Sequence, residues 1–227
     1  MKKPFAVVVL LVLVVAVFAN PSVGIGPAFN RYSGKGDIRA AGAEKDFNVY
    51  GYGADVRGIF AITDWLGIYA DMNIVFPQKY NIGSDTFTKD NLRAELGSPT
   101  NKTVGMIMVD ANLGVALTLN PNGMLSLSAG GGMFYSTFRV RKTGTISDET
   151  TGMKFYSTSV GFSLFGNVDF KLTDEMSIGI TAMPGFGRWN LTKIVQYDSS
   201  QPYPAGFGGV RKSFTLPVVV GFYYNFI

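Results

Sequence analysis

Residues 212–227 read KSFTLPVVVGFYYNFI. From Phe214 every second residue is apolar or aromatic: Phe214, Leu216, Val218, Val220, Phe222, Tyr224 and Phe226. The other face carries Ser213, Thr215, Pro217, Val219, Gly221, Tyr223 and Asn225. A period of two over this length specifies a strand whose two faces meet different environments. Aromatics bracket the apolar face at both ends, as on a strand that crosses both interfaces of a lipid layer. In lipid, a free edge would leave N–H and C=O groups unpaired, so the strand must close against a partner.

Composition says what the two faces meet. The chain is 47% hydrophobic and 14% aromatic but only 16% charged, with 28 glycines. A soluble domain carries about 25% charged residues. Loss of charge with abundant glycine suits one face on lipid and the other packed into a narrow lumen. With no cysteine, neither a disulfide nor a thiolate metal site can form. No metal and no cofactor is expected.

Met1–Ala19 has two lysines, an apolar run from Phe5 to Phe18 and small residues at Ala16 and Ala19. This is the three-part pattern of a secretory leader, with cleavage expected after Ala19. The organisation is therefore residues 1–19 as signal peptide and residues 20–227 as one domain. The alternative, an uncleaved anchor helix, needs about 20 apolar residues, and this run is shorter. Without Lys2 and Lys3 the formal charge falls from +4 to +2, which gives no argument for nucleic acid.

The remaining chain repeats the pattern of its last strand. Strands are expected at about 22–30, 47–62, 66–76, 107–119, 125–141, 160–170, 177–190 and 212–227. Thr63-Asp64, Asn120-Pro121-Asn122-Gly123 and Thr173-Asp174 provide three tight turns. Polar loops are expected at 31–46, 77–103, 143–154 and 193–211. Arg139-Val140-Arg141 breaks the alternation, where a bulge or an exit from the membrane is expected. Eight strands joined by alternating short turns and long loops specify an all-β fold, an eight-stranded antiparallel up-and-down transmembrane β-barrel. A water-soluble barrel would also alternate, but its outer face would be rich in Lys and Glu. Here the polar face is mostly Gly, Ser, Ala and Asn, small enough to fill a narrow interior.

Six charged residues fall on that inward face: Asp55, Arg57, Asp71, Asp110, Asp169 and Lys171. They are read as a lumen network that plugs the barrel, each charge paired because a lone one would be costly. The alternative is a polar path for water or small ions, for which eight strands leave little room. Pro27, Pro184 and Pro217 fall inside strands one, seven and eight, neighbours in a closed barrel. Each removes a ladder donor. They mark either kinks that help closure or a lateral seam through which a small apolar molecule could leave sideways. Basic residues outnumber acidic ones in the loops and upper strand ends, which suits either anionic lipid headgroups or an ordinary mixed-sign surface.

With this layout the chain resembles the small outer-membrane barrels: the OmpA transmembrane domain, the opacity proteins and the OmpW type. The resemblance covers the whole mature chain and rests on pattern rather than on a signature. It implies location in the outer membrane of a diderm bacterium, a monomer, outer-membrane lipids as partners, and recognition of the C-terminal strand by the barrel-assembly machinery. Phe226 is penultimate, with Ile227 last, a slight departure from the terminal aromatic of that signal. The enzymes among small barrels use a histidine base, and this chain has none, so no enzyme is expected. The strand prolines lean toward the OmpW type and a narrow conduit for small hydrophobic molecules. The alternatives are a surface adhesin acting through basic loops and a purely structural barrel.

Overall fold

The computed structural model describes residues 21–36, 45–96, 100–146, 149–198, 201–208 and 210–226. The expected leader lies outside the described residues. Alternation sets the strands: inward positions are buried and outward ones half-buried or exposed, as along Leu66–Val75, where half-buried and buried residues alternate without a break. The strands are β1 (Pro21–Gly36), β2 (Lys45–Ala61), β3 (Leu66–Ile82), β4 (Asp85–Thr88), β5 (Thr100–Leu119) and β6 (Leu125–Ile146). They continue as β7 (Glu149–Lys171), β8 (Met176–Ala182), β9 (Gly185–Asp198), β10 (Gln201–Gly208) and β11 (Val210–Asn225). One helix, α1 (Lys89–Ala94), follows β4.

Eleven strands make a ring of eight. β8 and β9 are one barrel strand broken at Met183-Pro184, since both pair with β7 and with β11. β10 and β11 together form the last one: β10 pairs with the upper part of β9, and β11 with its lower part. β4 is a short addition to the end of β3. The ring closes where β11 pairs antiparallel with β1, from Ser22–Asn225 up to Ser33–Phe214. Closure leaves no edge in the lipid.

The two Thr-Asp turns are built alike. Ile62 N–H and Leu172 N–H each donate at 2.8 Å to the carbonyl four residues on, at Leu66 and Met176. Thr63 Oγ1 accepts from Leu66 N–H at 3.1 Å, and Thr173 Oγ1 from Met176 N–H at 3.0 Å. At the third turn Asn120 takes φ of +54°, the left-handed region that Asn tolerates, and its amide donates to Leu125 O at 2.9 Å.

The outer wall is apolar all round. Ile25, Tyr52, Leu119, Leu164, Ile180 and Phe222 are all more than half exposed, a belt too extensive for a surface in water. Phe60 has the outward period but is buried, its ring lying where a Cβ on Gly58 would stand.

All four loop expectations change, the 143–154 loop because β6 and β7 stay paired from Thr143–Gly152 to Ile146–Glu149. β1 and β2 extend the 31–46 loop region into a hairpin because Tyr32 and Phe47 continue the inward period and are buried. The 77–103 loop folds as the end of β3, then β4, α1 and the start of β5. Arg139-Val140-Arg141 makes no bulge: β6 pairs continuously with β7 there, with Val140 inward and both arginines outward. Much of 193–211 is the β9–β10 hairpin. The single strand expected at 177–190 is broken by Pro184.

Candidate functional site

Among the described residues the lumen is where many strands bring chemistry together, and it is filled in levels. Toward the turn end, Arg57 on β2 crosses it. Arg57 Nη2 lies 3.1 Å from Asp55 Oδ1 and 3.0 Å from Asp71 Oδ2, and Nε donates to the same Asp71 oxygen at 3.1 Å. Its Nη1 donates to Tyr223 OH at 2.7 Å and to Thr181 Oγ1, which belong to strands on the far side of β1. Thr181 in turn donates to Asn167, whose amide donates to Asp169. Asn112 Nδ2 reaches the other Asp71 oxygen at 3.3 Å. Arg57 has the reach and the fixed donor fork for this crossing.

Beside this cluster Tyr69 and Phe165 stack with centroids 4.3 Å apart, packed with Ala116, Met183 and Ile59. Arg57 stands 5.9 Å from the rings of both Phe165 and Tyr223. Arg57, Tyr69, Phe165 and Met183 are each at most 3% exposed, so they occupy this cross-section.

A second polar group surrounds Asp110 on β5. Asn30 Nδ2 donates to Asp110 Oδ2 and, at 3.0 Å, to Asn73 Oδ1. Thr215 Oγ1 donates to Asn30 Oδ1 at 3.1 Å and to Asp110 Oδ1 at 3.3 Å. Asp110 is fully buried, and both of these donors are neutral.

Toward the loop end the lumen turns apolar. Phe47 is the hub, its ring 5.4–6.1 Å from those of Phe138, Tyr32, Phe155 and Tyr80. Val49, Val75, Met106, Met108 and Val140 complete the cluster. Leu92 of α1 drops into it from above and is 1% exposed. Thr88 caps α1 by accepting from Asn91 N–H at 3.1 Å, and Glu95 at its end pairs with Lys142 on the wall.

Asp55, Arg57, Asp71 and Asp169 join one hydrogen-bonded group inside the barrel, and Asp110 belongs to a second. Lys171 pairs with Asp174 at 2.9 Å and, with Asp169, lines a cavity of about 250 Å³ at the turn end. Three residues before Asp174 at the end of β7, its side chain has a local partner and need not cross the lumen. The aromatic cluster and its helical cap were not anticipated. Their sequence signal is Phe87 and Leu92 in a largely polar stretch, Leu92 following the Thr88-Lys89-Asp90-Asn91 cap.

The three prolines lie on adjoining strands. Met183 N–H donates to Pro217 O at 3.0 Å, and Leu164 N–H to Pro184 O at 2.9 Å. Neither proline has an N–H to return the bond. β1–β11 pairing passes from Ile25–Phe222 to Ala28–Val219, skipping Gly26 and Pro27.

No family model matches the chain, and no curated protein does. Among solved structures it is similar to the outer membrane protein OprG from Pseudomonas aeruginosa, with a TM-score of 0.58 and 15% identity over 92% of this chain and 97% of that one. It is also similar to a major outer membrane protein from Thermus thermophilus, with a TM-score of 0.51 and 14% identity over 89% and 99% of the two chains. At such identities the likeness is one of fold. A closed ring of eight strands and an apolar outer belt give the chain the fold of a small eight-stranded transmembrane β-barrel, the architecture of these outer membrane proteins.

Proposed function

We propose that the barrel takes small apolar molecules into its aromatic chamber at the loop end and passes them sideways into the membrane. The observation that carries this reading is a packed apolar, aromatic cluster stacked above a polar floor. Phe47, Tyr80, Phe138 and Phe155 favour an apolar guest. The hydrogen-bonded groups of Asp110 and Arg57 below them disfavour its onward passage along the axis.

A side exit is the remaining route, and in the wall Pro184 and Pro217 each remove one ladder bond. Tyr32 of the chamber is the cross-strand neighbour of Thr215, two residues from Pro217. The role is passage rather than catalysis: the chain has no histidine to serve as a general base near neutral pH.

The test is uptake of a hydrophobic solute by cells or proteoliposomes carrying the wild type, Pro184→Val, Pro217→Val, or the two together. Slower uptake in the double variant, with an intact heat-sensitive gel shift, supports the lateral route. Unchanged uptake would sink it.

A further inference from the structure

Two rows of side chains on the outer wall repeat one chemistry. On one side Arg31, Tyr50 and Lys79 are cross-strand neighbours on β1, β2 and β3, and Lys79 Nζ stands 5.5 Å from the Tyr50 ring centroid. On the other, Arg139 of β6 opposes Tyr156 of β7 with its guanidinium 5.8 Å from that ring, and Arg141 opposes Lys154 one step higher. β2 and β7 are four strands apart in a ring of eight, so the rows face opposite sides of the membrane-embedded wall.

Each row begins where the apolar belt ends. On β1 the outward run Val23, Ile25, Phe29 gives way to Arg31; on β3 Phe76 gives way to Lys79; on β6 Met133 and Tyr135 give way to Arg139. At about 3.3 Å per residue and a tilt near 40°, Arg31 stands roughly 25 Å above the start of β1, the height of an outer-membrane barrel's apolar band.

Among the described residues Arg31, Lys79, Arg139 and Arg141 make no ion pair, while nearby Lys35 and Lys142 do, with Asp46 and Glu95. Arg31 has a 3.4 Å contact with the Asn48 amide oxygen, and Arg141 donates to Thr143 Oγ1 at 3.1 Å. Basic groups and a Tyr hydroxyl in one row fit an anion with several oxygens.

We propose that both rows bind the phosphate groups of an anionic lipid headgroup in the outer leaflet. A soluble anion would have to reach an exposed, screened site from water. A lipid is already held at this depth, with its chains lying on Ile25, Tyr52 and Phe76 directly beneath, and that raises the effective concentration of its phosphate. Tyr50 and Tyr156 are the amphipathic rings favoured at such a boundary.

The experiment is native mass spectrometry of the refolded protein in zwitterionic micelles, with bisphosphorylated lipid A or the same lipid after removal of both phosphates. The wild type should retain the phosphorylated lipid about tenfold better. Arg31→Gln/Lys79→Gln and Arg139→Gln/Arg141→Gln should each lose about tenfold in retention, and the charge-preserving Arg31→Lys/Lys79→Arg should lose little. All positions are exposed, and heat-sensitive gel migration verifies that each variant folds. Equal retention of the two lipids, or retention undiminished in the fourfold Gln variant, would overturn the proposal. Binding of a soluble sulfated oligosaccharide through the same four residues, with no preference for the phosphorylated lipid, would overturn it too.

Discussion

Met183 N–H donates to the carbonyl of Pro217 at 3.0 Å, and no bond returns. One residue on, Pro184 accepts from Leu164 on the opposite side and likewise returns nothing. A single level of the seventh barrel strand has therefore lost one bond to each neighbour. Replacing Pro217 or Pro184 by Ala supplies an N–H worth about 0.5–1.5 kcal/mol, while freeing the unfolded chain costs about 0.4–1 kcal/mol. The two nearly cancel, so the denaturation midpoint should hardly move. Hydrogen exchange of the amides at Met183, Gly185 and Thr215 should slow, and this is the quantity to measure. Unchanged exchange would mean that the new N–H finds no partner.

Arg57 lies 3.0–3.1 Å from the carboxyl oxygens of two buried aspartates, Asp55 and Asp71. Arg57→Met leaves Asp55 and Asp71 facing one another without a cation, a loss of about 3–5 kcal/mol. Urea unfolding of the refolded barrel should show a midpoint lowered accordingly. Adding Asp55→Asn and Asp71→Asn to the same variant should recover most of the loss. Without recovery, the arginine would be acting through packing alone.

Leu92 fastens α1 to the chamber. Truncation to Ala removes a side chain that is 1% exposed, a change that costs about 2–5 kcal/mol in a tight core. Here the cost should fall on local opening, because the barrel does not depend on α1. Trypsin should cut faster at Lys89 and Arg93, while the heat-sensitive gel shift stays intact. Equal cutting rates would show that α1 is held by its Glu95–Lys142 pair instead.

Gly114 faces the lumen beside Tyr69. A Cβ there would stand 2.4 Å from Gly131 O and 2.7 Å from Tyr69 Cε1, closer than real Cβ atoms approach. Backbone cannot yield as a side-chain tip can, so Gly114→Val should prevent folding into the heat-sensitive form. Outward-facing Gly105, with open space around its Cβ position, should accept Ala with no loss of that form.

The alternation in 212–227 fixes which side chains face lipid and which face the lumen, because successive Cβ atoms point to opposite sides of a strand. From this follow the eight-strand count, the paired Thr63 and Thr173 turns, and the inward placement of Asp55, Arg57, Asp71, Asp110 and Asp169. Period says nothing of partners across the ring, which depend on how far each strand is staggered against the next. Only the closed barrel brings Arg57 to Thr181, 124 residues away in sequence, and Asn30 to Asp110. It also leaves Lys171 with Asp174 at the mouth. The aromatic chamber has the same origin: Phe47, Phe138 and Phe155 lie on three strands and become one cluster only when stagger brings their inward faces to the same level.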